Sequence, residues 1–208
     1  MKTEILKVKG DWQEVVNDCR ATVNKPPLGK EPSAEFKRGM MVCEHTPIRR
    51  ISISFMWKSI AYWVAMHLKT PVWYSVCTTQ RNDRQQRYDR GKAPQDAPVD
   101  FTGETNPQHL IDTSRKRLCY QASKETRELW EDYKVTIHND VDEYVSWAMV
   151  PNCVYRGGCP EVMQSEEKRC RYYEKLLKED QDIGSHDLRE RYDAYNRIFY
   201  KSKNGKAD

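Results

Sequence analysis

Apolar and polar positions along the chain change period several times, and each change marks an element. Residues 2–9 (KTEILKVK) read as a short strand. Asp11 then caps a helix through DWQEVVNDCRAT, with Trp12, Val15, Val16 and Cys19 on one face. NKPPLGKEPS reads as a loop, and Ser33 caps a second helix through AEFKRGMMV. In RRISISFMW, Ile51, Ile53 and Phe55 alternate with Ser52, Ser54 and Met56, the pattern of a strand with one buried face. KSIAYWVAMHL follows as an apolar helix and PVWYSVCT as a β-branched, aromatic strand. The stretch from Gln85 to Thr105 is rich in turn formers and reads mostly as loop, with QDAP and FTGET as turn signals. A long helix is predicted from Asn106 or Pro107, carrying Leu110, Ile111, Leu118, Ala122, Leu129 and Trp130 at helical spacing. DVDEYVSWAMV reads as a further helix and NCVYRGGCPE as a tight loop. The charged C-terminal part is helical, striped by Leu188, Tyr192, Tyr195, Ile198 and Phe199, and KSKNGKAD is a frayed tail. Together these elements predict an α+β fold: a small antiparallel or mixed sheet packed with helices, and a helix-rich second half.

At 208 residues the chain suits one domain with a real core. We expect residues 1–150 to form its main body and 151–208 a Cys-containing loop and charged helical extension of the same domain. ISISFMWKSIAYWVAMHL, the most apolar stretch, is interrupted by Lys58 and serines, so no membrane partner is expected. MKTEILKVKGDW lacks the apolar centre of a signal peptide, and a cytoplasmic protein is the default expectation. Seven irregularly spaced cysteines are expected to be free thiols. A net charge of +4 is small for a protein that coats nucleic acid, and none is expected as a partner.

Positive charge matters by location. Arg81, Arg84, Arg87 and Arg90 recur every third position, and Arg115, Arg117 and Arg127 follow. Forked, permanently charged guanidinium groups match phosphate and carboxylate oxygens, so the run suggests a pocket for an anion. A solvated basic face with local acidic partners is the plainer alternative.

The order of several short blocks resembles the flavin-dependent thymidylate synthases. CEHTPIRRISISF is similar to that family's block before a strand, and Asp18-Cys19-Arg20-Ala21-Thr22 is similar to its N-terminal Ala-Ala-Arg-x-Ser. Counting on without a gap, the signature Arg-His-Arg-x-x-Ser-x-Asn-x-x-Ser-x-Arg-Tyr falls on Lys69 to Asn82, with Thr79 at its second Ser and Arg81 at its closing Arg. Arg-x-x-x-Pro falls on Arg90 to Pro94, the helix-starting Asn on Asn106, and the helical Arg on Arg117. The last family stretch, Ala-Gln-x-Glu, is replaced by Gln121-Ala122-Ser123-Lys124-Glu125. The resemblance covers roughly residues 12–135. It departs most at Lys69-Thr70-Pro71, which stand for the Arg-His-Arg that helps hold flavin; Tyr74, Val76 and Asn82 also replace signature residues. The nucleotide-side arginines are thus better kept than the flavin-side cluster.

The resemblance implies methylation of dUMP to dTMP, with methylenetetrahydrofolate as carbon donor, reduced FAD as hydride source and NADPH as reductant of the flavin. No cysteine nucleophile is needed. Arg81 and Arg90 would hold the nucleotide phosphate and base, with Thr79 adding a hydroxyl. Arg117 would act as the catalytic group against the pyrimidine. Thr22, Thr46, Lys69 and Asn106, with His45, would contact FAD. A homo-oligomer is implied, a tetramer with active sites where subunits meet. Hydroxymethylation of the same ring carbon, or nucleotide binding without catalysis, are the alternatives.

Other readings of the same residues stay open. Arg117 on a helix surface could pair with Glu125 or Asp112, and Arg84 and Arg87 read as solvent-exposed. Cys153, Cys159 and Cys170 could belong to a zinc site. Structural zinc usually takes four ligands, however, and three thiols in a packed turn is the favoured reading. His67, on an apolar helix, is expected to be a core histidine.

Overall fold

A computed structural model describes residues 2–69, 74–78, 89–161 and 170–204. Two edge elements open the chain: β1 (Thr3–Lys9) and α1 (Trp12–Ala21), the latter capped by Asp11, whose carboxylate accepts from the Glu14 N–H. Ser33 caps α2 (Ala34–Cys43) in the same way. A 3-10 turn, Thr46–Arg50, leads into β2 (Ser52–Ala61), which runs directly into α3 (Tyr62–Lys69). β3 (Tyr74–Cys77) and β4 (Pro98–Thr105) complete an antiparallel sheet in the order β1-β2-β4-β3. Helices follow: α4 (Pro107–Arg117), α5 (Lys124–Asp140), α6 (Glu143–Trp147), α7 (Asn152–Arg156), α8 (Tyr172–Glu179) and α9 (Leu188–Asn204).

The sheet lays one face on α5. Ile53, Phe55 and Trp57 of β2 and Phe101 of β4 are fully buried there, against Trp130 and Tyr133 of α5. Trp57 meets Tyr133 edge-on at 5.4 Å, and its indole N–H donates to the Thr3 hydroxyl at 3.0 Å. The Trp130 indole N–H donates to the Ser114 hydroxyl at 2.8 Å, tying α5 to α4. Phe55 faces Gly103 across the ladder, and a Cβ at Gly103 would lie 2.5 Å from the Phe55 ring. Glycine makes this strand possible by leaving space for a ring.

That contact explains why the loop expected up to Thr105 is instead partly strand. Val99, Phe101, Gly103 and Thr105 all point inward, so the alternation is intact and FTGET is not a turn. β2 likewise runs further than expected. A bulge between Trp57 and Ile60 inserts an extra residue, so the buried positions become 53, 55, 57 and 60 and the period of two is lost. Ser59 at the bulge takes a left-handed φ of 54°, held by its N–H donating to Asp100 at 2.8 Å. KSIA therefore belongs to the strand, and helix begins at Tyr62.

The long helix predicted from Asn106 is two helices. Residues 118–123 turn a corner, with the Ala122 N–H donating to the Cys119 carbonyl at 2.9 Å. The segment NCVYR, expected as loop, forms the short helix α7, closed by Gly157 in the left-handed region. The expected C-terminal fray is helical through Asn204. His67 is exposed, not a core residue; Val64, Ala65 and Leu68 fill the buried side of α3. Among the described residues no helix is long and apolar enough to cross a membrane.

Candidate functional site

α4 organises the candidate site because it carries predicted site residues at both ends. At its start, Asn106 adopts extended backbone and its side-chain oxygen accepts from the His109 N–H at 3.1 Å. The Thr46–Arg50 turn packs on α4 and, on its other side, on α1. His45 caps that turn, Thr46 begins it, and Pro47 suits its first positions by lacking an N–H that would otherwise be unsatisfied. Thr22 ends α1, its hydroxyl donating back to the Cys19 carbonyl at 2.7 Å. The Cys19 sulfur lies 3.9 Å from His45 Nδ1. Thr22, His45 and Thr46 are all exposed and gather round the end of α1, beside the turn that α4 supports.

The segment before the turn is fixed from α4. Glu44 sits in the left-handed region at φ 50° and accepts from the Gln108 amide at 2.6 Å and from the Arg115 guanidinium. Arg115 also stacks over the Tyr155 ring at 3.7 Å and lies 3.4 Å from Asp112. Burial pulls the Arg115 pKa down. The hydrogen bond and charge of Glu44, with smaller effects from Tyr192 and Tyr155, more than offset it and leave the pKa above its ordinary value. Gln108, Asp112 and Arg115 share a helical face by their spacing of four and three. That period is present in the sequence, but only the fold supplies Glu44 as its centre.

His109 adds a donor or acceptor that sequence reasoning missed. Its Nδ1 is buried and has no hydrogen-bond partner. Burial first, and then the nearby Arg49 charge, lowers its pKa, while Asp112 opposes them. A neutral imidazole beside an arginine, with one ring nitrogen buried and unsatisfied, is a polar group enclosed at the start of α4.

At the other end of α4, Arg117 donates to the His67 carbonyl at 2.6 Å, in the last turn of α3. A cation suits those terminal carbonyls. Burial lowers the Arg117 pKa, yet a guanidinium remains charged at neutral pH. Lys69, exposed, lies two residues beyond His67, so Arg117 and Lys69 share the end of α3. Neither Asp112 nor Glu125 takes the Arg117 hydrogen bond: Asp112 pairs with Arg115 instead. The 11 residues of α4 separate the Asn106 group from Arg117 by about 16 Å at the usual helical rise. Within one chain, then, Thr22, His45 and Thr46 gather at the end of α1, next to Glu44, which binds Gln108 and Arg115 of α4, while Arg117 joins Lys69 at the end of α3. Arg90 begins a short 3-10 turn, Arg90–Lys92. Thr79 and Arg81 lie outside the described residues, as do Thr70, Pro71, Arg84 and Arg87.

No protein-family model and no curated protein matches the sequence. Solved structures do match in fold. The flavin-dependent thymidylate synthase ThyX from Helicobacter pylori, solved with FAD and dUMP, gives a TM-score of 0.58 over 72% of this chain and 99% of its own, at 8% identity. A second structure of the same enzyme with FAD and dUMP gives 0.53 over 65% and 93%, at 9% identity. The UMP/dUMP methylase PolB from Streptomyces cacaoi, bound with 5-Br dUMP, gives 0.57 over 71% and 93%, at 11% identity. A small antiparallel sheet packed with helices, arranged as in these proteins, is the fold of this chain.

Proposed function

We propose that the protein is a pyrimidine deoxynucleotide-modifying enzyme that works with FAD, and that its reaction is methylation of dUMP to dTMP. Methylenetetrahydrofolate would supply the carbon and NADPH would reduce the flavin. Support comes first from fold: the neighbours act on or bind dUMP, and two were solved with FAD. The observation that carries the reading to residues is the arrangement of α4. Its start adjoins a turn that exposes His45 and Thr46, and its end presents Arg117, matching the eleven-residue interval of the family pattern.

The donor set fits FAD on its anionic side. Thr22 and Thr46 offer hydroxyls, His45 an imidazole, and the exposed Arg49 a positive charge. These groups suit phosphate or ring oxygens. Lys69, in place of the first signature arginine, gives a point charge without a planar fork. When bound, FAD would supply the hydride. Arg117 would orient the pyrimidine and stabilise negative charge as it grows on a ring oxygen, using N–H groups not engaged by His67. Arg81 and Arg90 would hold the phosphate. Asn106 and Arg117 lie about 16 Å apart along α4, and by the family resemblance a complete site would join residues from more than one chain, as a homotetramer allows.

Titration of the purified protein with FAD, followed by absorbance, and with dUMP, followed by calorimetry, tests the proposal. Both are expected to bind. Arg117→Ala should weaken dUMP binding by about 10- to 100-fold, the value of a charge-assisted hydrogen bond, while circular dichroism shows the fold retained. Binding of dUMP without flavin would favour the non-catalytic nucleotide-binding reading that the changed Lys69-Thr70-Pro71 motivates. Product analysis separates methylation from hydroxymethylation. Failure to bind either ligand would overturn the proposal.

A further inference from the structure

Four of the seven cysteines meet around one cavity of about 250 Å³, although they come from four places in the chain. Cys119 lies in the corner between α4 and α5, and Cys153 is buried in α7. Cys159 follows the Gly157-Gly158 turn, and Cys170 precedes α8. All four are free thiols. Each of Cys159 and Cys170 is near enough to both Cys119 and Cys153 to influence its charge, and Cys119 is near enough to influence Cys153. The remaining cysteines lie elsewhere, Cys19 and Cys43 on α1 and α2 and Cys77 on β3.

We infer that Cys119, Cys153, Cys159 and Cys170 form a binding site for one thiophilic divalent cation, with zinc as the natural occupant. The sequence offers three of these thiols in one region, and the fold adds Cys119 as the fourth. Four sulfur ligands with no imidazole are the composition of a closed, structural tetrahedral site. As they stand, no three His, Cys, Asp or Glu side chains among the described residues are placed to hold a metal, so binding must draw the thiols inward. The backbone permits this on one side. Cys119, Cys159 and Cys170 lie outside helices, and a Cβ at Gly158 would meet nothing within 4 Å.

Charge favours the same assignment. A divalent ion with four thiolates carries two net negative charges. Arg115, Lys116 and Arg117 line the same cavity with one carboxylate, Glu161, so cationic side chains outnumber anionic ones around the thiols. Burial pushes the Cys153 thiol up to about 12 and raises that of Cys119, so these two stay protonated without a cation. A bound cation reverses this, because a coordinating thiol gives up its proton. The ion would link the α4–α5 corner, α7 and the start of α8, two residues beyond Arg117. It would act as a staple there, not as a catalyst.

Metal analysis of the full-length protein, loaded with zinc under reducing conditions and then desalted, tests this without reference to flavin or dUMP. Near-stoichiometric zinc is expected. Cobalt in its place should give the near-ultraviolet thiolate-to-metal band and the visible bands of a tetrahedral centre. Cys159→Ser and Cys170→Ser, at half-buried positions, should each weaken zinc binding about tenfold or more, whereas Cys77→Ser should not. Circular dichroism confirms that each variant is folded. Absence of zinc and of the cobalt–thiolate band would overturn the inference, as would a disulfide within the four or unchanged binding in both serine variants.

Discussion

His109 shows how much one side chain on α4 can report. It is held between Arg49 of the preceding turn and Asp112 of its own helix, with Nδ1 buried and unpartnered. Its folded pKa lies below the ordinary value of about 6.5. Between those two values the unfolded chain binds more protons than the folded one, so His109 contributes stability above about pH 6.5 that is lost as pH falls towards the folded pKa. His109→Gln removes that dependence. From about pH 7.5 to about pH 5.5 the urea midpoint should fall less in the variant than in the parent protein. Equal falls would exclude His109 as the cause. The sequence does not single this histidine out, because its importance depends on Arg49, which the fold brings from another element. Arg117 differs: its place at the end of a helix follows from the spacing after Asn106, although its His67 partner does not.

At the scale of elements, the sheet depends on the pairing of a large residue with none. Phe55 occupies the space over Gly103, and the two are cross-strand partners. Gly103→Ala puts a methyl into the ring, and overpacking of this kind costs about 1–3 kcal/mol. The thermal midpoint should drop accordingly, with the far-ultraviolet spectrum retained. An unchanged midpoint would mean that Phe55 relaxes without cost. The same pairing explains the strand that sequence reading misses. Glycine, Asp100 and Glu104 resemble a turn locally, but their inward neighbours Val99, Phe101 and Thr105 are the buried set. Capping was more legible. Asp11, Ser33 and Asn106 act on N–H groups three residues ahead, so their effect is local, and each cap is where its side chain predicts.

Across the whole molecule, the C-terminal helices join the core laid down by the sheet. Lys134 of α5 is fully buried, donating to the Ser146 carbonyl at 2.5 Å and to Asn196 of α9 at 2.8 Å. Tyr192, Ala194, Tyr195 and Phe199 of α9 are buried in the same cluster. These contacts support the proposal that residues 151–208 complete one domain with 1–150. A chain ending at Val150 should therefore fail to give a cooperative melt and should expose apolar surface to a hydrophobic dye. A soluble, cooperatively folding 1–150 fragment would refute it. The sequence alone determined what rests on near neighbours: strand alternation in the first half of β2, the helix caps, the α+β class and the interval from Asn106 to Arg117. The tertiary structure alone decided what rests on residues distant along the chain. Those are the bulge held by Asp100, the strand made possible by Phe55 over Gly103, the Glu44 network, the His67 partner of Arg117, and the meeting of Cys119 with three later thiols. The division has a physical cause. Backbone preference and periodicity act within a few residues, whereas register, burial and convergence of side chains are fixed only when the elements pack.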